Sequence, residues 1–541
     1  MQDFTKIREG GFAYVDKTAA IHRLITRCGD AVFLSRPRRF GKTLLCSTIA
    51  ALFEGRRELF GEIAGCPALA MDSLAWEWKK HPVIRLDLNV GDFSQGIPAL
   101  HRVLRSQLRV QADKLSVDLE PTDVVTQFEY LIWQARKSFG ERVVVIVDEY
   151  DKPLLSSISV PEAHKAIRKE LKAFYGVLKS YDEFLRLVFV TGITRFAHVS
   201  IFSDLNHLTD LSFDPRFAEL CGITQKELEA TFRQDIAAVA RGTKTKRKDY
   251  LGKLHSFYNG YRFSKERRSV YNPYGLLLHF DKQGEFLQYW YNSASPTFLV
   301  DLVSRQSINI AQLGRERISQ NSFHNFDADN MDALAVLYQS GYLTVKDYDT
   351  NAREYVLGFP NVEVESAFSK SLLEQYFSVP FKQVDNFEKK LRMAFHSGDL
   401  DAAMDEIRAF LASVDYEVAK PTECYFQTVI FVLFKVLGLE CKVEMHTATG
   451  RVDLVLETQD FVYCFEFKLD KSADRALAQI DSNEYTLQWT AGNKVVYKVG
   501  VGFDSERRNI GEWKHVVESQ ELIAKPCGAA WLPRKTVSTV P

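Results

Sequence analysis

Through its first 235 positions the chain alternates short unbroken apolar runs with longer helix-like stretches. Ala31-Val-Phe-Leu34, Val83-Ile-Arg-Leu-Asp-Leu88, Val143-Val-Val-Ile-Val147 and Leu187-Val-Phe-Val190 are the runs. Runs this short and this apolar suit strands buried on both faces, and their alternation with helices predicts a parallel α/β sheet covered on both faces. Residues 236–400 are rich in aromatics and carry helical periodicity, which predicts a helical lid or linker. A third unit is expected over 401–525: a helical stretch, a hairpin, a helix bearing Gln479 and Tyr485, and the strand Lys494–Gly500. The tail after Leu522 predicts little structure, and the chain contains no internal repeat.

Composition adds limits. At 541 residues the chain is long enough for three or four folding units at roughly 150 residues each. The net charge of -1 rules out a general polycation, so any nucleic-acid surface must be a local patch. Arg241, Lys244, Lys246, Arg247 and Lys248 form such a cluster, which reads either as a solvated loop or as a phosphate contact. Eight scattered cysteines without a CxxC pair argue against a zinc site or disulfide framework and for a reducing cytoplasm. The opening residues carry no signal-peptide pattern, and the apolar run Thr428–Phe434 is far below the ~20 residues of a membrane span. A cytoplasmic protein without membrane contact is expected.

The first chemistry lies between Ala31 and Thr43. A phosphate loop needs backbone N–H groups at the positive end of a helix, a lysine for the β/γ charge and a hydroxyl for magnesium. Gly41, Lys42 and Thr43 fill the last three positions, between a strand and the apolar helix Leu44–Phe53, with Arg38 and Arg39 in the loop. Arg36 stands where the usual pattern has its first glycine, so the loop must enter its turn differently. Asp148 and Glu149 end an apolar strand, where the first would hold magnesium and the second polarise the attacking water. Thr191, Thr194 and Arg195 end another strand, the place for a γ-phosphate sensor. Arg195 would reach phosphate in cis, or in trans within a homo-oligomer.

The second chemistry is Gly450-Arg-Val-Asp453 and Phe465-Glu-Phe-Lys468. Cutting a phosphodiester commonly takes magnesium held by carboxylates, with a lysine near the attacking water. A turn at Glu457–Asp460 would place Asp453 opposite Cys464. Asp453, Glu466 and Lys468 would then share one face, with a diagonal of about 7–8 Å between the carboxylate positions. Glu423, at the head of the apolar helix Tyr425–Leu437, is either a further metal carboxylate or a helix N-terminal charge. Gln479 is either a group that steadies water or DNA backbone or a surface glutamine.

Together these residues resemble a family of prokaryotic AAA-ATPase-like proteins carrying a C-terminal PD-(D/E)xK nuclease-superfamily domain. The likeness extends to Phe12-Ala-Tyr-Val-Asp16-Lys-Thr, Arg36-Pro-Arg-Arg-Phe-Gly-Lys-Thr, Asp148-Glu-Tyr-Asp, Phe257-Tyr-Asn-Gly-Tyr-Arg-Phe263 and Val270-Tyr-Asn-Pro-Tyr274. The family also has an arginine at position 36. The resemblance implies ATP binding in the first domain and a restriction-endonuclease-like fold in the last. Lys42, Thr43 and Asp148 match its ATP and Mg2+ positions, and Asp453, Glu466 and Lys468 its nuclease triad. The expected function is an ATPase that controls Mg2+-dependent cutting of DNA, in genome defence or mobile-element biology. The alternative is an ATP-dependent switch whose last domain binds nucleic acid without cutting.

Overall fold

The structure, a computed structural model, describes residues 2–119, 123–158, 160–195, 208–291, 316–319, 332–376, 381–413, 440–446, 451–486, 494–518 and 538–540, with isolated positions between them. The chain divides into two compact units, Met1–Ala294 with Gly314–Asn361, and Ser295–Leu313 with Val362–Pro541.

In the first unit the apolar runs become strands. β1 (Ala31–Ser35), β2 (Val83–Asp87), β3 (Val143–Asp148), β4 (Leu185–Gly192) and β5 (Thr209–Asp210) form a parallel sheet in the order β2-β3-β4-β1-β5. Every residue of β1 and β3 is buried, which is why these segments are apolar without alternation. Helix α1 (Lys42–Phe53), apolar on nearly all sides, packs against β2, β3 and β4. Helices α2 (Ile97–Leu115), α3 (Val124–Phe139) and α4 (Pro161–Ser180) pack on one another. β4 lies between β1 and β3, so the segments leaving the carboxyl ends of these three strands open on one edge, where α/β sheets bind ligands.

Residues after 208 complete the unit. Helices α5 (Arg247–Tyr258) and α6 (Pro273–Asp281) close a separate core with Leu228 and Ile236. Beyond the expected helices the segment also carries a small antiparallel sheet, β6 (Arg317–Ser319), β7 (Thr344–Asp349) and β8 (Glu354–Gly358), with α7 (Ala333–Ser340) before β7.

The second unit is built on a six-stranded mixed sheet. Helices α8 (Phe381–Ser397) and α9 (Leu400–Ser413) pair ahead of it. The strands are β9 (Glu440–His446), β10 (Arg451–Glu457), β11 (Phe461–Leu469), β12 (Val495–Asp504), β13 (Asn509–Glu518) and β14 (Ser538–Val540), in the order β14-β13-β12-β11-β10-β9. Helix α10 (Ala473–Ser482) is the crossover between the parallel pair β11 and β12. One sheet face is sealed by Phe395 and Phe434 against Tyr463 and Phe465; the other packs Val455, Val462 and Cys464 on Leu477 and Ile480 of α10. Among the described residues no helix is long and apolar enough to cross a membrane.

Candidate nucleotide and metal sites

The Arg36–Gly41 loop joins the buried end of β1 to the first turn of α1. Arg36 needs no left-handed backbone; Arg39 and Gly41 take it instead, at φ of +66° and +89°. That is how the loop turns without its first glycine. The Arg36 side chain is buried and donates to the carbonyls of Ser35 (2.8 Å), Ser212 (2.9 Å) and Phe217 (3.0 Å), with the Phe263 ring 4.2 Å from its guanidinium carbon. Trp290 Nε1 donates to the Arg38 carbonyl at 3.0 Å, and the Phe40 ring packs on Tyr261 and Phe263. The aromatic residues between 261 and 290 therefore clamp the outside of the loop. Arg38 and Arg39 project to solvent, the latter over Tyr274.

Lys42 is 3% exposed and turns back into the loop, donating to the Arg36 and Pro37 carbonyls at 3.2 and 3.3 Å. Its third partner is Glu149 Oε1, 3.3 Å away. Glu149 sits at φ +52°, an uncommon conformation for a residue with a side chain. Asp148 is fully buried, and neither of its oxygens has a hydrogen-bond partner of good geometry. Burial, with the Glu149 charge beside it, pushes its pKa up to about 6; the nearby Thr43 hydroxyl and Lys42 only partly counter this. A buried carboxyl left unpaired beside a helix-terminal hydroxyl fits a magnesium–phosphate group, since water and phosphate oxygens would supply the remaining ligands.

The β4 end is arranged differently from the sensor expected there. The Thr191 hydroxyl donates to the Leu34 carbonyl at 2.7 Å inside the sheet. Arg195 pairs through its guanidinium with Asp210, and its backbone N–H donates to Gln339 Oε1 at 2.9 Å. To reach phosphate, Arg195 would have to leave Asp210. Beside Gly41 an apolar cavity of about 130 Å3 is lined by Tyr14, Val15, Leu45, Cys221, Ile223 and Pro273. Three of the segments that form it are the family motifs Phe12–Thr18, Arg36–Thr43 and Val270–Tyr274, and Asp16 of the first is spent on capping Thr18 and the Ala70 amide.

In the second unit the hairpin differs from its expected register. The turn is tighter: Thr458 N donates to the Phe461 carbonyl at 2.9 Å and Phe461 N to the Thr458 hydroxyl at 3.0 Å, leaving Gln459 and Asp460 as the loop. Val455 therefore faces Cys464 and Leu454 faces Phe465, where the ladder ends; the same register carried one step further leads Asp453 toward Glu466 and away from Cys464. The register moves by two residues, so the face is unchanged. Asp453 Oδ2 accepts from Phe467 N at 2.9 Å, and Lys468 Nζ donates to Glu466 Oε1 at 2.8 Å.

Glu466 is 1% exposed and its Oε2 has no partner. Burial, then the Asp453 charge, lifts its pKa to about 7 against the pull of Lys468. Two neighbouring carboxylates, one with a buried unpaired oxygen, fit a cation between them. Among the described residues no three His, Cys, Asp or Glu side chains converge on one point, so water or phosphate would complete the shell. Helix α10 approaches this face closely because β12 offers Gly500 beside Glu466 and Gly502 beside Lys468. A Cβ on Gly500 would lie 2.4 Å from the Ala473 carbonyl. Gln479 lies on that helix; Glu423 falls outside the described residues.

The family described as Predicted AAA-ATPase matches residues 1–202, and the PD-(D/E)XK nuclease superfamily matches residues 421–513. An uncharacterised protein of the vnfD 5′ region of Azotobacter chroococcum mcd 1 is 33% identical over 521 residues, covering 94% of this chain and 96% of that protein. The chain belongs to the family of predicted AAA-ATPases with a C-terminal PD-(D/E)XK nuclease-superfamily domain. Each of the two matched segments contains one of the carboxylate sites. Two features escaped reading from the sequence: the inward course of Arg36, two of whose carbonyl partners lie 176 and 181 positions downstream, and the binding of Asp151 to the β4 turn. The family motifs around Phe263 and Asp151 were the available signal.

Proposed function

We propose that this protein binds and hydrolyses ATP in its first unit and uses ATP to control Mg2+-dependent cutting of DNA by its second. The observation that carries the nuclease reading is the Asp453–Glu466–Lys468 face, with Glu466 buried, unpaired at one oxygen and shifted to about 7. A module that only bound nucleic acid would have no need to bury a carboxylate against another carboxylate. Asp453 and Glu466 would hold the metal, which when bound lowers the pKa of water and neutralises phosphate charge. Lys468, tethered to Glu466, would orient the attacking water and offset the charge that develops on phosphorus-bound oxygen. Gln479 would steady water or backbone from α10.

In the first unit Lys42 would exchange its loop carbonyls and Glu149 for β/γ-phosphate oxygens. Arg38, Arg39 and the Gly41 amide would meet the same phosphates, Thr43 and Asp148 would hold Mg2+, and the released Glu149 would polarise water. The nucleotide base would occupy the apolar cavity beside Gly41. The family's prokaryotic members suggest a place in genome defence or mobile-element biology.

The test pairs two readouts on one preparation: nicking or degradation of plasmid DNA with Mg2+, and phosphate release from ATP. Asp453→Asn, Glu466→Gln and Lys468→Ala should each abolish cutting and spare ATP hydrolysis. Cutting by Asp453→Asn at the parent rate would refute the metal assignment. A parent that binds DNA without cutting under any ATP and Mg2+ condition would favour the switch.

A further inference from the structure

The turn after β3 is tied to the turn after β4 by one buried anion. Asp151 is fully buried and accepts from Ile193 N (3.1 Å), Thr194 N (2.7 Å) and Thr194 Oγ1 (2.5 Å). Tyr150 adds two bonds across the same seam, from its N–H to the Thr191 carbonyl (3.2 Å) and from its hydroxyl to the Thr194 carbonyl (3.0 Å). The two turns approach without a gap. A Cβ on Gly192 would lie 2.5 Å from Asp151 Oδ1 and 2.6 Å from the Tyr150 ring, so glycine is required for the contact. Just before the clamp stands Glu149, held at φ +52° although it carries a side chain. A sparsely populated backbone state persists only when its surroundings over-determine it, and the bonds of Tyr150 and Asp151 anchor the chain immediately beyond Glu149.

We infer that Asp151 is a positioning residue for ATP hydrolysis: it fixes Glu149 in its left-handed conformation and sets the Thr194–Arg195 segment relative to it. The inference rests on the ATP-hydrolysis reading of the site. A continuous path of contacts and backbone then runs from the phosphate-loop lysine to the far side of the sheet edge. Lys42 pairs with Glu149, Asp151 two residues on holds Thr194, and Arg195 beside it pairs with Asp210. Phosphate that draws Lys42 away from Glu149 therefore acts on a residue whose backbone is rigidly coupled to Arg195. All three donors converge on Oδ2, and an ionised carboxylate oxygen holds them more strongly than the amide oxygen of an asparagine would.

The experiment is steady-state ATP hydrolysis by the full chain with a fluorescent-nucleotide titration on the same samples. Thr194→Val removes only the hydroxyl bond and keeps the shape, so it should lower kcat at least tenfold and change the nucleotide Kd less than threefold. Thr194→Ser restores the hydroxyl and should return kcat to within about twofold of the parent. Asp151→Asn should be at least as impaired as Thr194→Val; if it does not fold, the Val/Ser pair decides. An active parent with Thr194→Val at the parent rate overturns the inference, as does a Thr194→Ser variant no better than Thr194→Val. A parent that binds nucleotide but releases no phosphate overturns the hydrolysis reading, and this inference with it.

Discussion

Replacing Glu466 by glutamine keeps the size of the side chain and an acceptor for Lys468, and removes a buried carboxylate that feels the charge of Asp453. The pKa gives the size of the effect. A carboxyl raised from 4.5 to about 7 on folding makes the native state bind more protons than the unfolded chain between those values. Parent stability therefore falls as pH rises from about 4.5 to about 7 and stays low above. At roughly 1.4 kcal/mol per unit the loss is at most about 3 kcal/mol. Glu466→Gln carries no such loss, so without metal it should be more stable than the parent by up to about 3 kcal/mol at pH 8 and equal to it near pH 4.5. The assay is hydrogen exchange of the β11 amides in the full chain in EDTA, across a urea series at pH 5 and pH 8. Adding Mg2+ at pH 8 should stabilise the parent and leave the variant unmoved. Equal protection of parent and variant at pH 8 in EDTA would mean that Glu466 is not an uncompensated buried anion, and the case for a metal between it and Asp453 would lose its support.

Two further outcomes concern the first unit. Lys42→Ala should abolish ATP binding as well as hydrolysis, since among the described residues no other buried cation bonds to the loop carbonyls that Lys42 holds, while Glu149→Gln should bind ATP and fail to turn it over; phosphate release by Glu149→Gln at the parent rate would refute the base. If Arg195 leaves Asp210 to serve a neighbouring subunit, phosphate release per molecule should rise with protein concentration; a flat dilution series from a monomer in light scattering would rule that out.

The strands of the first unit were legible because burial on both faces leaves no freedom in composition: Val143–Val147 cannot be read as anything polar-faced, and it lies buried within the sheet. The start of α1 at Lys42, just after Gly41, was legible because glycine, lysine and hydroxyl are consecutive between a strand and an apolar helix. What Arg36 does was not. A lone arginine in a glycine's place reads as a defect, and only the fold brings Ser212, Phe217 and Phe263 around it, with no carboxylate paired to it among the described residues. The same holds for Thr191: its position at a strand end suggested a sensor, but a hydroxyl on a central strand meets the carbonyl of the neighbouring strand first.

The hairpin shows which errors a sequence argument survives. Composition places the turn at Glu457–Asp460, but Thr458 tightens it by using its own hydroxyl to close the loop on Phe461, which moves every pairing by two residues. A shift of one would have sent Asp453 to the opposite face and left Glu466 with no second carboxylate. A shift of two preserves parity, so the assignment of Asp453, Glu466 and Lys468 to one face stands while the register leads Asp453 toward Glu466 and away from Cys464. Burial first, and then the Asp453 charge, lifts Glu466 to about 7, where on the metal reading a proton and a metal ion would compete for the same oxygen near neutral pH. Metal affinity, measured by Mg2+ titration of the full chain across a pH series, should accordingly rise about tenfold per pH unit from about 5 to about 7 and level off above. An affinity that stays flat over that range would mean that Glu466 is already ionised at the lower pH, as a diagonal, better-solvated pair would be.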